Sequence, residues 1–222
     1  MLNHLIFDLD GTLTDPFEGI TRCVAHALAR FDIRVADRRA LACYIGPPLK
    51  QGFMAFHGLS ADEAETAVAA YRERFAEVGL YENTVYPGIE DVLAARVAEG
   101  QHLFVATSKP WCFATGILDH FGLSQYFVHI HGSELDGTRS DKTDLLAYVL
   151  DKHGLAAGRA LMIGDRRYDV VGATANGMAA CGVSYGYGGR AELLAAGATT
   201  ICESPAALAD TLARLTARDQ GQ

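Results

Sequence analysis

The sequence predicts an α/β protein: a mostly parallel sheet covered by helices on both faces, interrupted after its first strand by an inserted helical block. Three observations carry this. Leu5-Ile6-Phe7 is a short apolar run that ends in Asp8-Leu9-Asp10-Gly11, the pattern of a buried strand stopped by a glycine. From Ala94 onward, apolar strand-like runs alternate with amphipathic helical stretches, as in a parallel sheet built from crossover units. Between residues 15 and 83 no convincing strand is found.

The inserted block reads as four helices, over 16–30, 37–44, 49–56 and 61–78. Pro16 is a helix-start signal, and Ser60 before Ala61-Asp62-Glu63 is an N-cap followed by an acidic first turn. Tyr86-Pro87-Gly88 is a hinge and helix start on the way back. Downstream, strands over 102–106, 127–130, 160–163, 179–183 and 199–201 alternate with helices over 110–121, 142–153, 169–176, 191–195 and 205–215. The expected division is a core of 1–14 with 84–222 and a helical domain of 15–83. Such a block beside a site can close on substrate and exclude water; its plainer role is to add stability. Residues 218–222 form a polar tail.

The chain has 222 residues, 50% hydrophobic and 21% charged, enough to bury a core without staples. A formal net charge of -8, with no basic cluster longer than two residues, argues against a nucleic-acid surface. It also means that an anionic substrate needs local cations. Cys23, Cys43, Cys112, Cys181 and Cys202 are widely spaced with no C-x-x-C pair, which fits reduced thiols rather than a disulfide frame or zinc site. No secretory signal or membrane span is visible, so the expected location is cytoplasmic.

Four segments carry chemistry. Asp8 and Asp10 close the first strand, at the carboxyl end where open α/β sheets build their sites. An aspartate there can attack phosphorus, and a second can move protons; the plain alternative is a polar turn. Thr107-Ser108-Lys109-Pro110 follows an apolar run, and its hydroxyl can bind a phosphoryl oxygen or simply cap a helix. Lys142 in Ser140-Asp141-Lys142-Thr143 opens a helix against the macrodipole, a mild conflict for what is otherwise read as a solvated lysine. Gly164-Asp165 ends another apolar run, and Asp169 lies four residues on, so a helix begun near Arg166 turns both carboxylates to one pocket. Such hard oxygen ligands suit Mg²⁺.

Together these segments resemble the four motifs of the haloacid dehalogenase superfamily, in order and over nearly the whole chain. The resemblance implies a Rossmann-like doubly wound core with the small helical cap of the phosphoglycolate phosphatase branch. It implies Asp8 as nucleophile and Asp10 as general acid and base. Thr107, with Ser108 and Gly11, is implied at the phosphoryl group, and Lys142 neutralises it and orients Asp8. Mg²⁺ is implied on Asp8, the backbone carbonyl of Asp10, Asp165 and, through water, Asp169. A proton-exchanging carboxylate at Asp10 marks the phosphatases of this family rather than its dehalogenases. The chemistry is coherent: an aspartate is ionised at neutral pH and needs no activating base, and a cation with Lys142 turns a ring of carboxylates into a site for a phosphate dianion.

The insertion carries Gly46-Pro47-Pro48, a rigid turn, followed by its only lysine, Lys50, the best candidate for an anion contact from the cap, with Arg22, Arg72 and Arg74 behind it. The Gly-Pro-Pro-Leu form resembles both phosphoglycolate phosphatases and 5′-nucleotidases, and the first is placed ahead. Other readings are a sugar-phosphate mutase, a phosphonoacetaldehyde hydrolase using Lys50 as a Schiff base, and a non-catalytic binding protein. The expected partner is a small phosphorylated metabolite, with no nucleic acid or membrane, for a monomer or homodimer. Three features are set aside: His129-x-His131 as an ordinary pair without a third ligand, Trp111 as packing, and Gly186-x-Gly188-Gly189 as a flexible connection at the site rim; Arg166-Arg167 reads as a helix-surface pair, with one of the two facing the pocket as the alternative.

Overall fold

A computed structural model describes residues 2–217; the polar tail predicted at 218–222 lies outside them. The chain divides into two compact units, Met1–Thr14 with Val85–Gln222, and Asp15–Thr84. The strands and helices, in chain order, are β1 (His4–Phe7), β2 (Thr14–Asp15), α1 (Phe17–Ala29), α2 (Leu49–His57), α3 (Ala61–Arg74), β3 (Thr84–Val85), α4 (Ile89–Ala98), β4 (His102–Pro110), α5 (Trp111–His120), β5 (His129–Ser133), α6 (Lys142–His153), β6 (Ala160–Gly164), α7 (Arg167–Ala175), β7 (Ala179–Val183), α8 (Gly189–Ala195), β8 (Thr200–Cys202) and α9 (Pro205–Ala217). No described helix is long and apolar enough to cross a membrane.

The larger unit is built on a six-stranded sheet in the order β5-β4-β1-β6-β7-β8, every pairing parallel. Strands buried on both faces must be apolar almost without alternation, and Leu5, Ile6 and Phe7 of β1 are wholly buried. Ile6, Phe104, Ala106 and Met162 pack against Leu145, Leu146 and Val149 of α6 and Ala173 of α7. β1 lies between β4 and β6, with Phe7 beside Val105 and Ile163. The chain therefore winds outward one way through β4 and β5, then returns to wind the other way through β6, β7 and β8. The carboxyl ends of β1, β4 and β6 meet at that reversal, where the flanking loops diverge and leave a crevice.

Some elements depart from the sequence expectations. β4 runs on to Pro110 instead of stopping at 106, with a shift of register between Thr107 and Pro110. β5 begins at His129 instead of 127, because Ser124–Tyr126 forms a 3₁₀ turn first. α4, of which the sequence marks only the start, is capped by Gly88 at φ 88, a left-handed conformation that glycine adopts freely.

The smaller unit is helical apart from strand ends at its limits. Val24, Ala27, Leu28, Leu41, Phe53, Ala64 and Ala67 form its buried interior. The segment expected as a helix at 37–44 is a 3₁₀ helix, Arg38–Tyr44. α3 starts with the expected cap: Ser60 Oγ accepts from Glu63 N, and the Glu63 carboxylate accepts from Ser60 N at 2.8 Å. It ends four residues before the expected 78, because Phe75–Gly79 widens into a π-turn. A Cβ at Gly79 would lie 2.4 Å from Cys23 Sγ, so the turn fits only with glycine there.

His129 and His131 are joined by a third histidine that the sequence does not place beside them. His131 stacks on His129 with ring centroids 4.2 Å apart, and its Nε2 lies 2.8 Å from Nε2 of His153 at the end of α6. Burial, then the charges of His129, His153, Lys152 and Arg139, push the His131 imidazole down to about 3. The unfolded chain takes up this proton near pH 6.5 while the folded chain does not, so folding stability falls as pH drops below about 6.5 toward 3. Urea midpoints at pH 7.5 and pH 5 measure this drop, and the His131→Gln variant, which cannot charge, is expected to show a smaller one.

Candidate active site

All the motif residues of the larger unit gather at the reversal point. Asp8 follows β1, with its backbone N–H donating to Ile163 O at 2.9 Å. Thr107 lies in β4 where its register begins to shift, Asp165 just beyond β6, Lys142 at the first position of α6, and Asp169 in the first turn of α7. Asp8, Asp10, Thr107, Lys142, Asp165 and Asp169 are all buried. Asp8 and Asp10 do lie where the strand passes into a turn, yet both are buried within the cluster. Lys142, with 4% of its surface exposed, is the opposite of a solvated lysine.

Lys142 Nζ lies 3.1 Å from Asp8 Oδ1 and 2.8 Å from Asp169 Oδ1, and donates to Ala106 O at 2.8 Å. Burial alone would lower this ammonium, but the charges of Asp169 and Asp8 outweigh it and hold the group above an ordinary lysine. Asp141 caps α6 by accepting from Thr143 N at 2.7 Å, which offsets the cost of a cation at a helix start. Leu9 N donates to Asp8 Oδ1 at 2.8 Å, so one oxygen of Asp8 is held by Leu9 and Lys142 together.

Asp10 faces a lysine that the sequence reading passes over. Lys109 Nζ lies 2.8 Å from Asp10 Oδ2, and both side chains are nearly out of solvent. Burial raises the Asp10 carboxyl above the usual range, Lys109 pulls it back, and Asp8 raises it again. Its other oxygen, Oδ1, has no hydrogen-bond partner. A group held in this way can keep a proton and offer it. The only sequence signal for Lys109 is its place two residues after Thr107, and a lysine before a proline otherwise reads as an exposed loop residue.

Asp8, Asp165 and Asp169 each bring a carboxylate oxygen to within 4.8 Å of one another, the one such group of three metal-ligating side chains among the described residues. Four clustered carboxylates, counting Asp10, face two ammoniums, Lys109 and Lys142, which leaves two negative charges without a partner. Burial, then Asp169 and Asp8, push the Asp165 carboxyl well above its ordinary value, the mark of missing counter-charge. Burial likewise raises Asp169, against the pull of Lys142. All-oxygen donors with unmet charge fit a hard divalent cation such as Mg²⁺.

The glycine-rich segment after β7 is part of this construction and corrects the expectation of a flexible rim. Tyr187 N donates to Asp165 Oδ2 at 2.7 Å. A Cβ on Gly186 would lie 2.3 Å from Gly11 O and 2.4 Å from Asp165 Cβ, and one on Gly188 would lie 2.2 Å from Asp165 O. Gly11, at φ 82, has Asp165 Oδ2 at 2.2 Å from its own ideal Cβ position, and Gly164 has Asp169 Cγ at 2.1 Å. Gly11, Gly164 and Gly186 thus let backbone close directly on the two aspartate side chains, and Gly188 closes on the Asp165 carbonyl. Arg166 Nε donates to Glu192 Oε1 at 3.0 Å, and the Arg167 guanidinium donates to Tyr168 Oη at 3.2 Å.

The remaining candidates are placed as follows. Thr107 Oγ1 accepts from Lys109 N at 3.3 Å, and Thr107 does not cap α5, whose N-cap is Pro110. Ser108 O accepts from Ser133 Oγ at 2.9 Å. Lys50 lies in the first turn of α2 in the smaller unit and is ion-paired with Glu65.

The fold and the clustered carboxylates define a class, and comparison with known proteins gives it a name. Haloacid dehalogenase-like hydrolases match residues 5–183, and the chain belongs to that family, among its phosphatase-type members. It is 52% identical over 209 residues to a 5′-nucleotidase of Pseudomonas aeruginosa, covering 94% of this chain and 95% of that one. It is 34% identical over 221 residues to a phosphoglycolate phosphatase of Rhodospirillum rubrum, covering 96% and 91%. The crystal structure of a predicted phosphatase from Clostridium acetobutylicum superposes with a TM-score of 0.94 at 44% identity, covering 96% of this chain and 99% of that one.

Gly186→Ala tests the glycine bed. A methyl there must displace Asp165 or Gly11, and a shift of about 1 Å at a reacting centre costs roughly 10²-fold. The expected result is a loss of turnover of about that size, with a lowered thermal midpoint, read by phosphate release and by melting.

Proposed function

We propose that this protein is a Mg²⁺-dependent phosphomonoesterase that works through an aspartyl-phosphate on Asp8, with nucleoside 5′-monophosphates as its substrate class. The carrying observation is the arrangement of Asp8, held by Lys142 and Leu9 N, beside Asp10, whose one oxygen is tied to Lys109 and whose other is unengaged.

In this reading Asp8 Oδ attacks phosphorus and the ester oxygen departs. Asp10, raised by burial, gives that oxygen its proton. Asp10 then takes a proton from the water that attacks the phosphorus of the aspartyl-phosphate, and Asp8 is regenerated. Thr107 Oγ, with Ser108 and Gly11, binds the phosphoryl oxygens, and Lys142 offsets their charge as it builds. Asp8, Asp165, Asp169 and the carbonyl of Asp10 would hold Mg²⁺, which supplies positive charge to the transferring group when bound. Lys50 remains the candidate anion contact of the smaller unit, and to serve it must leave Glu65. A cytoplasmic location and small-metabolite partners belong to the same proposal.

The nucleotide reading rests on the 52% likeness to the Pseudomonas aeruginosa 5′-nucleotidase, and it reverses the order of the sequence expectation. The second reading, phosphoglycolate, rests on the 34% likeness to the Rhodospirillum rubrum enzyme. Phosphate release from nucleoside monophosphates, phosphoglycolate and sugar phosphates, with Mg²⁺ and with chelator, ranks these. The expected outcome is Mg²⁺-dependent release that is fastest for nucleotides. Asp8→Asn is expected to keep the fold and lose about 10³-fold or more in kcat. Isomerised sugar phosphate in place of free phosphate would move the reading to a mutase.

A further inference from the structure

Trp111 is the only tryptophan in the chain, and packing does not account for it. The side chain opens α5 and is 49% exposed. It is the only large aromatic group that the larger unit leaves so open among its described residues. The ring is nonetheless fixed. Its Nε1–H donates to Glu134 Oε2 at 3.0 Å, the other Glu134 oxygen is ion-paired with Arg139, and the Arg139 guanidinium lies 4.4 Å over the Tyr148 ring. The backbone beneath is equally constrained, since a Cβ on Gly132 would lie 2.8 Å from Trp111 Cα. An indole tied at its edge and half exposed is a preorganised stacking surface.

Its position fits the reaction. Lys109, two residues earlier, reaches Asp10, the group assigned the leaving-group proton. Lys109 and Pro110 close β4, and Trp111 opens α5 directly after them. Two extended residues span roughly 7 Å at most. The Trp111 backbone is therefore within that distance of Lys109, the residue whose ammonium reaches Asp10. In a nucleotide, one sugar ring separates the ester oxygen from the base.

We propose that Trp111 is the surface on which the base of a nucleoside 5′-monophosphate stacks, and that it sets the preference for nucleotides over base-less phosphate esters. This rests on the phosphatase reading above. Stacking is tolerant of base identity, so purine and pyrimidine nucleotides are both served.

The test compares AMP and CMP with ribose 5-phosphate, which carries the same sugar and no base, in wild type, Trp111→Ala and Trp111→Phe. Trp111→Ala is expected to lower kcat/KM for both nucleotides about tenfold or more relative to ribose 5-phosphate, with the loss in KM. Trp111→Phe is expected to recover most of it. Separately, AMP is expected to quench the single tryptophan of Asp8→Asn, and ribose 5-phosphate is not. Equal losses for all three esters, or no loss, overturn the proposal. If wild type releases phosphate from no ester, the phosphatase reading fails, and the fluorescence titration alone decides whether Trp111 meets a base: quenching by AMP supports it, and no quenching overturns it.

Discussion

Lys142 holds Asp8 at 3.1 Å and Asp169 at 2.8 Å almost wholly out of water, and the other parts of the site depend on that pairing. An ammonium so deeply buried survives only where opposite charges surround it, and a carboxylate group so deeply buried survives only where cations do. Each side makes the other tenable. The same contacts fix which Asp8 oxygen is occupied. A buried ion pair of this sort is weak evidence for stability, and its value here is geometric: it positions Asp8, the nucleophile of the proposed reaction.

The sheet delivers these groups to one place. β1 is flanked by β4 and β6, so Asp8, Thr107 and Asp165 emerge side by side although they lie far apart in sequence. Lys142 and Asp169 then come from the first turns of the two helices that pack against those strands. Glycines finish the assembly, because no residue with a Cβ lets Gly11, Gly164, Gly186 and Gly188 approach Asp165 and Asp169 so closely. The apolar strands fix the coarse placement, and backbone contact with the carboxylates fixes the fine one.

Much of this was legible in the chain itself. Each motif carboxylate ends or follows an apolar run, and runs of that kind become central parallel strands, so Asp8, Asp10 and Asp165 could be placed at strand ends from sequence. Lys142 announced itself by standing at the wrong end of a helix dipole, yet its burial could not be read, because a lysine's surroundings depend on which loops converge on it. Lys109 gave no such signal: its meeting with Asp10 depends on β4 running past residue 106, and strand ends are set by pairing rather than by composition. Gly186 and Gly188 misled for a different reason. Glycine marks both loose chain and the tightest packing, and only the contacts distinguish them. The histidine trio was half visible, because its third member, His153, is brought in by α6.

The central claim is that phosphorus is transferred to Asp8 itself. Acid quenching during turnover, followed by borohydride reduction, converts an aspartyl-phosphate to homoserine, and peptide mass spectrometry locates it. The account predicts homoserine at position 8 only when substrate is present. Turnover with an unmodified Asp8, or with the label on another residue, would contradict it.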